Sequence, residues 1–548
     1  VGAGVINLAH VICGVRPALA NQEGAFPAAW QHLTITEVIA DSREVVPGAL
    51  FVALAGERTD GHHFLPDAAA RGARGALVRA EALGQHVASL ERFPRPWVVV
   101  NAGSLQAHAP GETMADLPPL AGEPDGVFVL VAVDDTLKAL HRLTTYHRAP
   151  VTPTVVGVTG SVGKTSTKEA VAAVLSRQYC TLKSRRSFNS EVTVPTTLLQ
   201  LTPAHQAAVI EMGMWAPGEI RLLASLARPH LGIVTNVGPS HLERMGSIEA
   251  IARAKAELVE ALPPDGVAIL NADDARVAAM AAHTRARVLT YGITSPHAEV
   301  RASEVESHGL HGVSFRVRVR VRVQAHVHGH HDDPVAFKVP LAGRHSVYTA
   351  LAAIATGVTM GLSWEQIAVG LADLDPATQV RFRVRPGYTK TGACTVLDDT
   401  YNASPMSSLA ALDVLAECGP AERRVAVLGE MLELGAYAEE GHRMVGQRVA
   451  EVAHRLLGVG SGPRVRWIAE EAQQRGMDAS RIIVVDRHEQ AIPVVRELVR
   501  DGDYVLVKGS RGAAMEHLVA ALTTRESPVP GGGEGNARGT FEYDDAGD

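Results

Sequence analysis

Cysteine is scarce. Cys13, Cys180, Cys394 and Cys418 are scattered through 548 residues, with no pair at metal-ligand or redox spacing. That pattern argues against a disulfide scaffold and for free thiols in a reducing compartment. Positive charge is not in excess either: the net charge of −7 argues against a nucleic-acid partner. No run is long and apolar enough to span a bilayer, so no membrane insertion is expected. The opening stretch VGAGVINLAHVICGVRPALA ends on Ala-Leu-Ala, in imitation of a cleavage site. It lacks the basic residues that precede the apolar run of a signal peptide. A cytoplasmic location is the expectation.

What is present is an ordinary enzyme composition, 20% charged, in a chain too long for one core. Three blocks emerge. The first, 1–150, ends in the proline-marked HRAPVTP and contains a Gly-, Pro- and Ala-rich stretch, 101–125, that reads as a loop or insertion. The second, 151–375, alternates buried strands such as TVVGVTG, AAVIEMG, LGIVTNVG and GVAILNADD with helical patterns. Such alternation predicts α/β structure with a parallel, doubly wound sheet. Arg/Val alternation from Arg316 to Val323 has period two, a strand with one wet face. His326, His328, His330 and His331 follow it and read as a solvated hairpin tip rather than a metal site. The third block, 376–527, repeats the alternation in CTVLDD, RRVAVLGEM, RIIVVD and DYVLVKGS. A 528–548 tail has almost nothing to bury, and disorder is expected there.

The stretch VVGVTGSVGKTSTKEA places a glycine-rich turn between a strand and a helix, the context of a phosphate cradle. Backbone N–H groups of Gly160 to Gly163 are expected to converge on phosphate oxygens. Lys164 would neutralise the outer phosphates, and Thr165 would bind Mg²⁺ through its hydroxyl. The motif departs from the usual spacing: Val158 stands where the first glycine belongs, and Gly157 lies one residue earlier. Glu211 and His241 lie at or just beyond strand ends, where ligands gather in open α/β sheets. Lys255 falls on the apolar stripe of its helix with Ile251, Leu258 and Leu262. The helix pattern alone favours a snorkelling lysine. A fully buried amine would instead be neutral, and able to take up CO₂ as a metal-binding carbamate.

In this order, GVTGSVGKTST, EMG, TNVGPSHLERMGS, ARAKAE, NADD and GRHS resemble the Mur ligases, which build the peptide of bacterial peptidoglycan. In the third block, DDTYNASPMSSLAAL, VLGEMLELG and VLVKGSRGAAME are similar to one branch of that family. It joins D-alanyl-D-alanine to UDP-N-acetylmuramoyl-tripeptide. DSREVVPGALFVALAGERTDGHHF is similar to the UDP-binding domain of that branch, and the resemblance covers about 30–525.

The resemblance implies three domains: a small α/β UDP-binding domain, a central P-loop domain with a doubly wound, mostly parallel sheet, and a C-terminal Rossmann-like α/β domain. It implies ATP, two Mg²⁺ ions and an acyl-phosphate intermediate. A monomer is the default. Gly160, Ser161, Val162, Gly163, Lys164, Thr165 and Ser166 would hold the nucleotide, with Asn271, His345, Arg381 and Asp399. Thr165, Glu211, His241 and Lys255 match metal positions, Lys255 as a carbamylated lysine. With Lys164, the last three form the expected catalytic set. Ser42, Arg43, Asn189, Tyr401, Asn402, Lys508, Ser510 and Arg511 are the expected substrate contacts.

One region departs. GRHSVYTALAA has Ser346 and Thr349 where the family usually carries nucleotide-contacting asparagines, so adenine recognition is expected either to be looser or to be supplied from Asn271. Other readings are less well matched. The sister ligase that adds the third residue typically carries Asn-Pro-Arg in its third domain, which is not found. Folylpolyglutamate synthase shares the cradle but lacks such a first block. A nucleotide-dependent switch would not require Glu211, His241 and Lys255. Lys164→Ala is expected to abolish ligation by removing the cation that screens the transferred phosphoryl group. Near-normal turnover of the purified variant would contradict the cradle assignment.

Overall fold

Apolar side chains on both faces of a strand require a covering layer on each side, and among the described residues the inner parallel strands of the three sheets meet that condition. The computed structural model describes residues 6–16, 19, 26, 28–56, 59–85, 97–101, 126–320, 333–375 and 382–525. The 528–548 tail, His326 to His331, Arg381 and most of the 101–125 stretch lie outside the described residues.

The first sheet contains β1 (Val38–Ile39), β2 (Leu50–Val52), β3 (Gly75–Arg79), β4 (Trp97–Asn101) and β5 (Phe128–Val133), in the order β1-β2-β3-β5-β4. All its pairs are parallel. Along β5, Val129 and Val131 pack into one core while Phe128 and Leu130 pack into the other.

The central sheet has nine strands: β6 (Thr154–Thr159), β7 (Thr181–Lys183), β8 (Ala207–Glu211), β9 (Leu231–Val234), β10 (Val267–Asn271), β11 (Arg287–Gly292), β12 (Val300–Ser307), β13 (Val313–Val319) and β14 (Val335–Val339). Their order is β14-β13-β12-β11-β10-β9-β6-β8-β7. Strands β7 to β12 run parallel with β6, and β12, β13 and β14 pair antiparallel. Over its described part the Arg/Val alternation behaves as read, with Phe315 and Val317 buried and Arg316 and Arg318 exposed; Val321 to Val323 lie outside the described residues. Helices Lys164–Leu175 and Ser346–Thr359 cover one face, and Glu219–Ala227 and Ile248–Glu260 the other. Because β6 lies between β9 and β8, the order reverses at its carboxyl end, the position where α/β sheets open a crevice for ligands.

The third sheet holds β15 (Arg383–Tyr388), β16 (Ala393–Asp399), β17 (Arg424–Gly429), β18 (Arg455–Val459), β19 (Ile482–Val485) and β20 (Tyr504–Lys508), ordered β15-β16-β20-β17-β18-β19. Only the edge strand β15 is antiparallel. The insertion of β20 beside β16 places the ends of Asp399 and Lys508 side by side. Among the described residues, no helix is long and apolar enough to cross a membrane.

Candidate active site

The turn after β6 is held from outside. Gly160 has φ 151°, and a Cβ there would lie 1.8 Å from the Thr235 hydroxyl oxygen, so no side chain fits. Gly163 takes the left-handed conformation, φ 84°, to open helix Lys164–Leu175. Asn236, just beyond β9, does most of the holding. Its Oδ1 accepts from the Val162 N–H at 2.9 Å, its Nδ2 donates to the Val162 carbonyl at 2.9 Å, and its own carbonyl accepts from the Ser161 N–H at 3.0 Å. The Thr235 hydroxyl adds a 2.7 Å bond to the Val162 carbonyl.

This corrects one expectation. The amides of Ser161 and Val162 do not converge on a phosphate site, because Asn236 takes both. The positive end of helix Lys164–Leu175 remains as the backbone anion site. Lys164 folds back over the loop, with its ammonium donating to the Gly160 carbonyl at 2.9 Å.

Glu211, at the end of β8, is fully buried. Its Oε1 accepts from Asn189 Nδ2 at 2.9 Å, while its Oε2 has no hydrogen-bond partner. The Thr165 hydroxyl is likewise buried without a partner. Two orphaned oxygens, one of them anionic, suit a hard cation such as Mg²⁺. Among the described residues, no three His, Cys, Asp or Glu side chains form a metal cage. A cation here therefore needs other ligands, as Mg²⁺ takes from phosphates and water.

Beneath Glu211 lies Lys168, also fully buried. Its ammonium donates to the Ser184 carbonyl at 2.8 Å and to the Arg186 carbonyl, pairs with Glu169 at 3.0 Å, and lies 4.0 Å from Glu211 Oε2. The Arg186 side chain reaches Glu44 at 3.6 Å, which ties the Ser42–Glu44 turn of the first domain to this corner. Ser42 is half-buried there, and the exposed Arg43 is paired with Asp41 at 2.8 Å.

Helix Ile248–Glu260 is capped by Ser247, whose hydroxyl accepts from the Ala250 N–H, and it buries Ile251, Ala254, Lys255 and Leu258. Lys255 is 2% exposed and makes no hydrogen bond or ion pair. Burial, reinforced by the charge of Lys164, holds its amine well below the usual lysine range. The snorkelling arrangement is therefore not the one adopted. His241, with φ 56°, meets a residue of the third domain that sequence reading missed: its Nδ1 lies 2.5 Å from Glu433 Oε2. That hydrogen bond holds the Glu433 carboxyl below the usual glutamate range.

Asp399 and Lys508 form a buried pair at 2.6 Å, and the Lys508 ammonium also donates to the Asn402 carbonyl at 2.9 Å. Ser510 is buried as well, accepting from the Leu432 N–H at 2.9 Å. Lys508 and Ser510 thus shape the DDTYNAS turn, whereas Arg511 and Asn402 are exposed and Tyr401 is half-buried, 5.9 Å from the Arg511 guanidinium.

The nucleotide residues expected from the central domain are more self-contained. Asn271 donates to the Thr235 carbonyl at 2.9 Å and accepts from the Asp273 N–H at 3.0 Å. Ser346 spends its hydroxyl on the Ala342 carbonyl at 2.8 Å, and Thr349 is buried. His345 lies exposed at the head of helix Ser346–Thr359.

A cradle at the switch point of one sheet, flanked by polar turns of two further α/β domains, defines a three-domain P-loop enzyme. Family models agree. "Mur ligase middle domain" matches residues 158–357, "Mur ligase, glutamate ligase domain" matches 381–511, and "Mur ligase family, catalytic domain" matches 34–109. The UDP-N-acetylmuramoyl-tripeptide–D-alanyl-D-alanine ligase of Synechocystis is 33% identical over 91% of this chain and 94% of its own. The Escherichia coli enzyme of that name is 34% identical over 89% and 94%. The crystal structure of MurF from Acinetobacter baumannii superposes with a TM-score of 0.71, at 27% identity, over 95% of this chain and all of its own. This chain belongs to the Mur ligase family.

Asn236 generates a direct test. Asn236→Ala removes two side-chain hydrogen bonds and leaves the Val162 amide unpaired, worth about 1–3 kcal/mol. Calorimetry is expected to show ADP binding weakened about 10–100-fold with the fold intact. Unchanged affinity would contradict an externally fixed loop.

Proposed function

We propose that this chain joins D-alanyl-D-alanine to UDP-N-acetylmuramoyl-tripeptide at the expense of ATP. The tripeptide's terminal carboxylate receives the γ-phosphoryl group of ATP, which gives an acyl phosphate and ADP. The dipeptide amine then attacks the acyl carbon, loses a proton, and releases phosphate as the amide forms. Phosphorylation is needed because a carboxylate has no good leaving group. The observation that carries this reading is that Thr165 Oγ1, on the cradle helix, and Glu211 Oε2, on the strand paired with β6, are both buried without a hydrogen-bond partner.

Two anions must approach each other in the transfer, so the site has to supply positive charge. Lys164 supplies one unit and the helix N-terminus a fraction of another. Mg²⁺, held through Thr165 and Glu211, would supply the remainder when bound. Asn189 fixes the Glu211 carboxylate through Oε1, which leaves Oε2 as the oxygen that would take a cation. Burial and the charge of Lys164 disfavour the charged form of Lys255, and a carbamate formed on its amine would add an anionic ligand next to Lys164. His241 would help the Lys255 carbamate hold a second Mg²⁺. Ser42 and Arg43 stand in the domain expected to hold the UDP end. Asp399, Tyr401, Asn402 and Arg511 line the third-domain turn that would close over the reacting groups and exclude water from the acyl phosphate.

The family reading alone leaves open which amine is used; the first-block and third-block motifs favour the dipeptide. Phosphate release by the purified enzyme is expected to require ATP, UDP-N-acetylmuramoyl-tripeptide and D-alanyl-D-alanine together. Equal release with a single amino acid in place of the dipeptide would overturn the assignment.

A further inference from the structure

His241 and Glu433 lie 192 residues apart, on different domains, and each holds a backbone conformation that non-glycine residues avoid, φ 56° and φ 62°. Such a conformation costs on the order of 1–3 kcal/mol and persists only where its surroundings enforce it. Here the two strained residues face each other. Imidazole Nδ1 and carboxylate Oε2 meet at 2.5 Å. A second bond joins the same segments, from the Glu243 N–H to the Glu433 carbonyl at 3.2 Å. Around them, the Arg244 guanidinium stacks 4.7 Å over the Trp215 ring, and that ring lies 6.4 Å from the imidazole.

On the other side, His241 is continuous with the cradle: the neighbouring Ser240 hydroxyl bonds the Ser161 hydroxyl at 3.1 Å. With Nδ1 engaged, Nε2 is the ring atom left without a hydrogen bond. A histidine whose one nitrogen is held by a carboxylate and whose other nitrogen is open has its tautomer and ring angle set for a ligand.

We propose that Glu433 is the positioning residue for His241, so that docking of the C-terminal domain completes the nucleotide–metal site of the central domain. The first consequence is economy: one contact both reports closure and orients the ring. Without Glu433, no carboxylate would fix the tautomer of His241. After docking, the imidazole is held for the bound nucleotide and cation. The inference rests on the ligase reading of this site.

The test compares Glu433→Ala and Glu433→Gln with Glu417→Ala. Glu417 accepts from the Ser307 hydroxyl at 2.5 Å and so joins the same two domains at another place. A contact that merely glues the domains predicts equal effects at both sites. Positioning predicts that Glu433→Ala lowers kcat about 10–100-fold with KM for both peptide substrates unchanged. It also predicts that calorimetric Mg²⁺ affinity of the ADP-bound protein falls by about the same factor. Glu433→Gln, which can still accept from Nδ1, is expected to recover part of both. Glu417→Ala is expected to match the parent.

Wild-type kcat and Mg²⁺ affinity in Glu433→Ala would overturn the proposal, as would identical losses in Glu433→Ala and Glu417→Ala. So would losses accompanied by an expanded scattering profile that Mg²⁺ and ADP do not reverse. Failure of the ligase reading looks different: the parent enzyme itself would form no amide.

Discussion

A glycine-rich turn can cradle phosphate only if something other than its own side chains fixes its backbone, and in this chain that task falls to Asn236. Its amide and carbonyl make three hydrogen bonds to Ser161 and Val162, and Thr235 beside it supplies a fourth. The arrangement depends on sheet order. Asn236 and Thr235 follow β9, and β9 lies against β6, so the residue that shapes the loop comes from the neighbouring strand end. Gly160 is glycine because Thr235 leaves no room for more. Val158, which stands where the usual motif has its first glycine, lies within β6 and is buried in the sheet, ahead of the turn.

Charge burial sets the second level of organisation. Two lysines near the cradle are almost fully buried and are treated in opposite ways. Lys168 is surrounded by the Ser184 and Arg186 carbonyls and by Glu169, so its charge is compensated where it stands. Lys255 has no such partners and feels a second cation, so the neutral amine is favoured. One lysine is a strut that steadies the Glu211 corner. The other stands in an apolar wall, where burial and the charge of Lys164 push its pKa down. Their difference follows from partners, since burial is nearly equal.

Legibility in the sequence followed the range of the interactions. The cradle could be read because strand, turn and helix are contiguous. Lys255 could be placed inward because helix periodicity is local, although the pattern alone favoured a snorkelling side chain. β6, β8, β9, β10, β16, β17, β19 and β20 were visible as apolar runs, whereas β11, β12 and β15, which carry more polar residues, were not. β18, which opens on Arg455 and contains Gly458, was not singled out either, although it is fully buried. Asn236 and Glu433 were missed because nothing local distinguishes them: one acts on a loop 74 residues away, the other on a histidine 192 residues away. Lys508 carried a motif, but its commitment to Asp399 is a register effect of two paired strands. Ser346 stands where the family usually has asparagine, and only the helix geometry shows its hydroxyl turned back to the Ala342 carbonyl.

The central claim is that the cradle, the buried Glu211 and the closing domain serve transfer of a phosphoryl group to a substrate carboxylate. Labelling tests it most directly. UDP-N-acetylmuramoyl-tripeptide carrying ¹⁸O in its terminal carboxylate is ligated with unlabelled ATP, and the released phosphate is analysed by mass spectrometry. Transfer through an acyl phosphate predicts that each phosphate carries one oxygen from the labelled carboxylate. Unlabelled phosphate alongside full amide formation would contradict it.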